Sequence, residues 1–582
     1  MKEKLLVDPR RGDIEDDASS TVQKSLLAIA GSLLAEISLP KLLFALTLSI
    51  VLPAILLGLA PLLATAWLAK ASGSVAELTG PGAVLILVMV LTIGWVGWRP
   101  LIRTVETNFW SLNALAIQPG YAICREALRH LAERSVGDRA GMDRLAQLRA
   151  ASSAGAGLVV CLLAILIASL VWPATRWAGT VADLLFVQGL IVPTLANAVV
   201  LVSIYLAAAS LVWGFADALM EQPRDVTTFD TAAPGGRRWR IAHLSDIHVV
   251  GERYGFRIES GRSGPRGNDR LERVLARIEA LHSAQPLDLI LVSGDLTDAG
   301  RSTEWAEFLD LLARHPAVAE RVVVLPGNHD VNIVDRSNPA RLDLPFSPGK
   351  RLRQMRALSA LAAVQGKRVR VVDRKSGELT HSLTESLAPH GPKIEAFART
   401  GSLRLATALG SIWTSQFPMI LPPHVDDGLG VAILNSNAET HFSFTNALGL
   451  IAAEEMHRLA IAIGKFPRAF WIIGLHHHLV EYPMPVSAFS ERVGTALING
   501  SWFVRKLQPF ANRCIAMHGH RHIDWIGACG RLKIVSAPSP IMGARDDEPT
   551  YFHIHTLAAG TEGRLQLLSP ERVEIAGVES GS

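Results

Sequence analysis

No Asp, Glu, Lys or Arg occurs in residues 42–69, 78–98, 150–175 or 184–216 of this 582-residue chain. A helix needs about 20 apolar residues to cross a hydrocarbon core about 30 Å thick. Four segments, about 42–68, 82–98, 155–172 and 185–213, come close to or exceed that length, the second being the shortest. Trp67, Trp95, Trp98, Trp172, Trp177 and Trp213 gather near their ends, where amphipathic aromatics settle at a membrane surface. A soluble bundle would have to cover four uncharged faces with protein. The expectation for residues 1–221 is therefore an all-α transmembrane module of about four helices, the first kinked at Pro53 and Pro61 and the fourth, which contains Pro193, long enough to tilt.

The loops set its orientation. Residues 99–150 carry Arg99, Arg103, Arg125, Arg129, Arg134, Arg139, Arg144 and Arg149, whereas Lys70 and Arg176 stand alone after the first and third spans. The positive-inside bias puts that loop, both termini and the large C-terminal part in the cytoplasm; a re-entrant second or third span would reverse this. Leu128, Leu131, Leu145 and Leu148 give the loop a helical period, suited to docking on the catalytic part or on anionic headgroups. Residues 24–38 suggest an amphipathic interfacial helix, and the mixed-charge N-terminus does not look like a secretory signal. With no ionisable group inside the spans, an anchor or a ligand sensor is expected rather than an ion pathway.

The formal charge of +4 gives no case for a nucleic-acid partner. Four cysteines, Cys124, Cys161, Cys514 and Cys529, make no close-spaced disulfide framework. Two prolines and a Gly pair mark residues 222–237 as a linker. Beyond it, over 238–582, strand and helix patterns alternate, which implies an α/β layered domain. Strands are expected at 239–244, 287–292, 321–325, 431–435, 470–475, 514–517 and 532–536, and helices at 269–283, 303–315 and 448–463. The basic stretch of about 332–428 interrupts the alternation and is expected to form an inserted cap or a plain excursion.

Five polar clusters stand at strand ends: Asp246-Ile247-His248, Gly294-Asp295-Leu296-Thr297-Asp298, Gly327-Asn328-His329-Asp330, His476-His477-His478 and His518-Gly519-His520-Arg521-His522. Each is weak alone, since a lone His is more often a core or surface residue than a ligand. Together, and in order, they offer the oxygen and nitrogen donors that divalent metals take from a protein. Two cations about 3.5–4 Å apart can clamp a phosphate and activate a water.

These clusters resemble the five motifs of the calcineurin-like metallophosphoesterases, and the second and third are closest to the cyclic-nucleotide phosphodiesterase branch. The resemblance covers about residues 238–557. It implies a four-layer α/β/β/α sandwich with two divalent metal ions, manganese, iron or zinc. It further implies that Asp246, His248 and His522 hold one ion, that Asn328, His476 and His520 hold the other, and that Asp295 bridges them. His329 would be the general acid, oriented by Asp330. Three consecutive histidines leave His477 open beside His476. Asp298 is expected to cap its loop or stand behind the ligands, and the Gly- and Arg-rich stretch 251–270 to be an ordinary loop or a phosphate contact. The expected activity is hydrolysis of phosphate esters, phosphodiesters or nucleotides, by a hydroxide bridging the metals at a cell membrane. Hydrolysis of a lipid-linked pyrophosphate and non-catalytic sensing of a phosphorylated ligand are the alternatives. Oligomeric state is not legible.

Overall fold

The computed structural model describes residues 51–77, 118–136, 142–184, 186–232, 235–251, 267–335, 341–343, 347–373, 376–441, 443–483, 497–542, 544, 545 and 547–577, with the single residues 43, 47, 88, 89 and 92. The chain divides into two compact units, one of residues 39–220 and the other containing 221–582.

Three of the uncharged windows carry helices, α1 (Leu52–Glu77), α3 (Met142–Val171) and α4 (Val187–Ala218), with α2 (Gln118–Val136) on the Arg-rich segment. Three stretches, Leu52–Ser72, Arg144–Ala174 and Gln188–Ala218, are long and apolar enough to cross a membrane. The span expected at 82–98 lies outside the described residues apart from 88, 89 and 92, as does the interfacial helix expected at 24–38. Helix α3 starts eight residues before its uncharged window, because Met142–Arg149 continues the helix on a charged turn that a search for uncharged stretches cannot see. Outward faces are apolar, with Leu170 72 % and Val212 66 % exposed.

Helices α3 and α4 meet on small residues. A Cβ on Gly157 would lie 2.6 Å from the Ser210 carbonyl, and one on Gly214 would lie 2.9 Å from that of Ser153. Close backbone approach at small-x-x-x-small pairs such as Ser153/Gly157 and Ser210/Gly214 is the packing mode available to helices in lipid. Two arginines of α2 turn inward: Arg125 pairs with Asp217 at 2.8 Å and Arg129 with Glu126 at 3.0 Å, while Arg149 of α3 pairs with Glu133 at 2.8 Å. These three cations are thus paired inside the unit.

In the second unit, β1 (Arg224–Asp225) is followed by β2 (Arg238–Leu244), α5 (Gly267–Ala284), β3 (Leu289–Val292), α6 (Ser302–Ala313) and β4 (Val322–Val324). Helix crossovers make β2, β3 and β4 parallel neighbours. Next come α7 (Pro348–Gln365), β5 (Arg370–Val372), β6 (Leu379–Ser382), β7 (Met419–Leu421) and β8 (Leu429–Ile433). Then α8 (Ala453–Lys465), β9 (Phe470–Gly474), α9 (Gly500–Leu507), β10 (Cys514–His518), β11 (Trp525–Cys529), β12 (Leu532–Ser536), β13 (Thr550–Ala559), β14 (Leu565–Leu567) and β15 (Glu571–Ile575) complete it. One sheet has the order β14-β13-β2-β3-β4 with β15 also on β13; the other runs β1-β11-β12-β10-β9-β8-β7-β5-β6. They share one core, in which Ile241, Leu291, Val431, Ile472, Ile515 and Val535 are buried together. Parallel strands end on one side, so the loops after β2, β3, β4, β9 and β10, which carry the five clusters, come out at strand ends where α/β folds bind ligands.

The stretch 332–428 is built into this unit rather than laid over it as a cap. Its strands β5, β6 and β7 extend the second sheet beyond β8. Helix α7 buries Leu352, Met355, Leu358 and Leu361 in the shared core.

On α8, Glu455 is buried and accepts a hydrogen bond from the Asn435 amide at 2.8 Å. Burial pushes its carboxyl up to about 8, against an ordinary value of 4.5. The folded protein therefore binds a proton that the unfolded chain releases between those two values. Stability is full below about pH 4.5 and falls by about 1.4 kcal/mol per unit as pH rises towards 8. Glu455→Gln is expected to gain unfolding temperature over the parent at pH 8.5 and to lose that advantage at pH 5. Parallel pH profiles for the two proteins would contradict it.

Candidate metal centre

Five candidate ligands have left-handed backbones: Asp246 (φ 54), His248 (φ 49), Asp295 (φ 50), His520 (φ 79) and His522 (φ 52). Such residues are uncommon outside glycine and survive where the surroundings over-determine them, often at functional sites. Here the loops lock one another. The amides of Asp246 and His248 donate to the carbonyls of Gly294 and Asp295, each at 3.0 Å, and the Gly519 amide donates to the His476 carbonyl at 3.1 Å. The His520 amide donates to Asp246 Oδ2 at 3.0 Å. The cluster glycines leave room for this. A Cβ on Gly294 would lie 2.4 Å from His476 Nδ1, and one on Gly519 would lie 1.7 Å from Ser245 Oγ.

Two donor groups made only of the expected ligands result, beside a third of His248, Asp298 and His329. Asp246, His248 and His522 bring one ligand atom each within 4.8 Å of one another, and so do Asp295, His476 and His520. Asn328 joins the second group, its Oδ1 standing 3.1 Å from His476 Nε2. Asp295 Oδ2 lies between the groups, 3.2 Å from His476 Nε2 and 3.8 Å from His248 Nε2. His476 Nδ1 donates to the Ser293 carbonyl at 2.8 Å, which leaves Nε2 as the lone pair facing inward. Asp246 Oδ1 is buried and accepts no hydrogen bond, with His522 Nε2 3.4 Å away. A buried carboxylate oxygen without a hydrogen bond, beside an imidazole nitrogen, fits a shared cation.

The charges agree. Burial opposes ionisation of Asp295, yet the imidazoles of His476 and His329 hold its carboxyl well below the usual range. Burial likewise disfavours protonation of His476, but the carboxylates of Asp295 and Asp246 push it up to about 9. The site favours positive charge.

Of the remaining candidates, His477 points elsewhere: its Nδ1 meets Ser436 Oγ at 2.8 Å and it is in neither donor group. His329 lies beside His248, ring centroids 4.6 Å apart, with Nδ1 donating to the Asp298 carbonyl at 2.6 Å. Asp330 does not orient it. The Asp330 carboxylate accepts from the amides of Gly327, Leu296 and Thr297 and from the Thr297 hydroxyl, so it ties the second cluster to the third. Burial and the Asp295 charge push it up to about 6. Asp298, expected to stand behind the ligands, approaches His248 Nδ1 at 3.6 Å. Sequence patterns do not reveal Ser436, whose hydroxyl accepts from the amides of both His476 and His477 at 3.1 Å; its one signal is its place just past a strand. Of the stretch 251–270, residues 252–266 lie outside the described residues.

Residues 240–391 match the calcineurin-like phosphoesterase family. The chain carries a calcineurin-like phosphoesterase domain. The match takes in the first three clusters of this phosphoesterase domain, and His476, His520 and His522 lie beyond it. Among solved structures, a Staphylococcus aureus protein that bears the name 5'-nucleotidase, crystallised with α-ketoglutarate, is 12% identical with a TM-score of 0.30. The alignment covers 60% of this chain and 56% of that one, so the chain spans little more than half of its length. No curated protein matches.

Proposed function

We propose that the chain is a membrane-anchored, metal-dependent hydrolase of phosphate esters, acting on phosphodiesters or nucleotides from the cytoplasmic side. The observation that carries this is the meeting of two donor groups on Asp295. Asp246, His248 and His522 hold one divalent cation, Asn328, His476 and His520 hold the other, and Asp295 serves both. When bound, the cations polarise the phosphoryl oxygen and make a water acidic enough to ionise near neutral pH. Asn328 brings a neutral oxygen, which limits negative charge where an anionic ester must approach. His329, its Nδ1 fixed by the Asp298 carbonyl, donates a proton from Nε2 to the leaving oxygen.

The test is hydrolysis of bis-p-nitrophenyl phosphate and of a panel of nucleotides and lipid phosphates by the full chain with manganese. A chain that binds manganese yet cleaves no ester would instead be a sensor, and activity confined to the lipids would favour a lipid-linked pyrophosphate. His329→Ala is expected to lose about 10²–10⁴-fold on an ester with a poor, alkyl leaving group. On p-nitrophenyl esters, whose leaving group needs little proton help, the loss is expected to be much smaller. Equal losses on both would remove His329 from the role of acid.

A further inference from the structure

We propose that Glu481 and Arg521 form a clamp that positions the His520 imidazole for cation binding. The proposal rests on the metal-dependent reading above and adds two residues to it. Strands β9 and β10 are parallel neighbours, with Met517 opposite Gly474. The loops that follow them carry His476 and His520, which meet at 3.1 Å between Nε2 of the first and Nδ1 of the second.

Glu481 lies on the first loop and Arg521 on the second. Arg521 Nη1 donates to Glu481 Oε2 at 3.1 Å, and His478 Nε2 meets Glu481 Oε1 at 3.3 Å. The three side chains are 6 %, 17 % and 2 % exposed for Arg521, Glu481 and His478. The stack continues on both sides. The His478 ring lies nearly parallel to that of His520, centroids 5.9 Å apart at 16°. The Arg521 guanidinium lies 5.4 Å from the Tyr482 ring centroid, and the Tyr482 hydroxyl is fixed on Ser536 Oγ at 2.9 Å.

A buried ion pair contributes little net stability, because desolvation offsets its attraction. What it does supply is fixed geometry, and this loop needs it. Arg521 stands between two left-handed residues, His520 and His522, both candidate ligands. A backbone in that region relaxes unless it is held. The Asp246 carboxylate holds the His520 amide; the clamp holds the side-chain end of the same turn and, through His478, the face of the imidazole. Glu481 belongs to no donor group among the described residues, so it acts through His520 and not on a cation. Outer partners of this kind typically change metal affinity by about ten- to a hundredfold when removed.

The experiment is calorimetric titration of the metal-free full chain with manganese, parent against Glu481→Gln, with unfolding temperatures in parallel. The parent is expected to show two classes of site, and the variant to bind about ten- to a hundredfold more weakly in one class and normally in the other. Unchanged affinity in both classes would overturn the clamp. Equal weakening of both classes would also overturn it, since that is what a general loss of stability produces. Should Glu481→Gln fail to fold, Arg521→Lys, which keeps the charge but not the forked geometry, carries the same test. A parent that binds no manganese would defeat the metal-dependent reading itself, before any variant is made.

Discussion

Asp295→Asn is expected to fold like the parent, to bind less manganese and to hydrolyse phosphodiesters at least about a thousandfold more slowly. The size follows from the chemistry a pair of cations supplies, worth several kcal/mol at the transition state, with each 1.4 kcal/mol counting about tenfold in rate. Asn keeps one oxygen, so the His329 amide, which donates to Asp295 Oδ1 at 2.8 Å, keeps its acceptor. It removes the negative charge from Oδ2, the atom set between His476 and His248. With that charge gone, His476, now pushed up to about 9 by Asp295 and Asp246, falls towards its ordinary value. Asp295→Ala should lose the same activity and also destabilise the fold by about 1–3 kcal/mol, because it leaves the half-buried His329 amide without its acceptor. Turnover and metal content of both variants, measured beside unfolding temperature, separate the two effects. Activity of Asp295→Asn within a few-fold of the parent would mean that Asp295 is not shared between the donor groups.

The parts legible in the sequence are those where burial on both faces leaves a continuous apolar run. Strands β3, β9 and β10 read Leu-Ile-Leu-Val, Phe-Trp-Ile-Ile-Gly and Cys-Ile-Ala-Met-His, as the inner strands of parallel sheets do, and each is closed by donor residues. Strands β5 and β6 could not be found that way. They are three and four residues long, antiparallel, and read Arg-Val-Val and Leu-Thr-His-Ser, so neither length nor pattern separates them from loop. The donor atoms were legible because clustered His and Asp are chemically unusual. What aims them was not. The carbonyl of Ser293 that sets the His476 tautomer and the carbonyl of Asp298 that holds His329 are backbone groups with no residue signature. The same reason explains Asp330. The resemblance implied an orienting carboxylate, whereas the turn directs it at the Gly327 amide beside it and at two amides and a hydroxyl of the neighbouring loop.

That dependence on loop-to-loop packing gives the second large effect, at a residue with no side chain. Gly327 has ordinary extended angles, φ −94 and ψ 179, so alanine there suffers no backbone strain. It suffers a collision: its Cβ would lie 2.1 Å from both the amide nitrogen and Oδ1 of Asp295. The nitrogen is backbone, and Oδ1 is held by the His329 amide at 2.8 Å, so the loop carrying Asp295 must move. Such overpacking costs about 1–3 kcal/mol. The functional loss is larger, since a misplacement of about 1 Å at a reacting centre costs on the order of a hundredfold. Gly327→Ala is therefore expected to stay folded, with a lowered unfolding temperature, weaker manganese binding and on the order of a hundredfold less hydrolysis. Gly464→Ala on α8 is the matched control. Nothing lies within 4 Å of its Cβ, and alanine in a helix is about 0.5–1 kcal/mol better than glycine, so that variant should hydrolyse normally and unfold slightly later. If Gly327→Ala turned over esters as fast as Gly464→Ala, the close packing of the third cluster against Asp295 would not be what holds this carboxylate between its histidines.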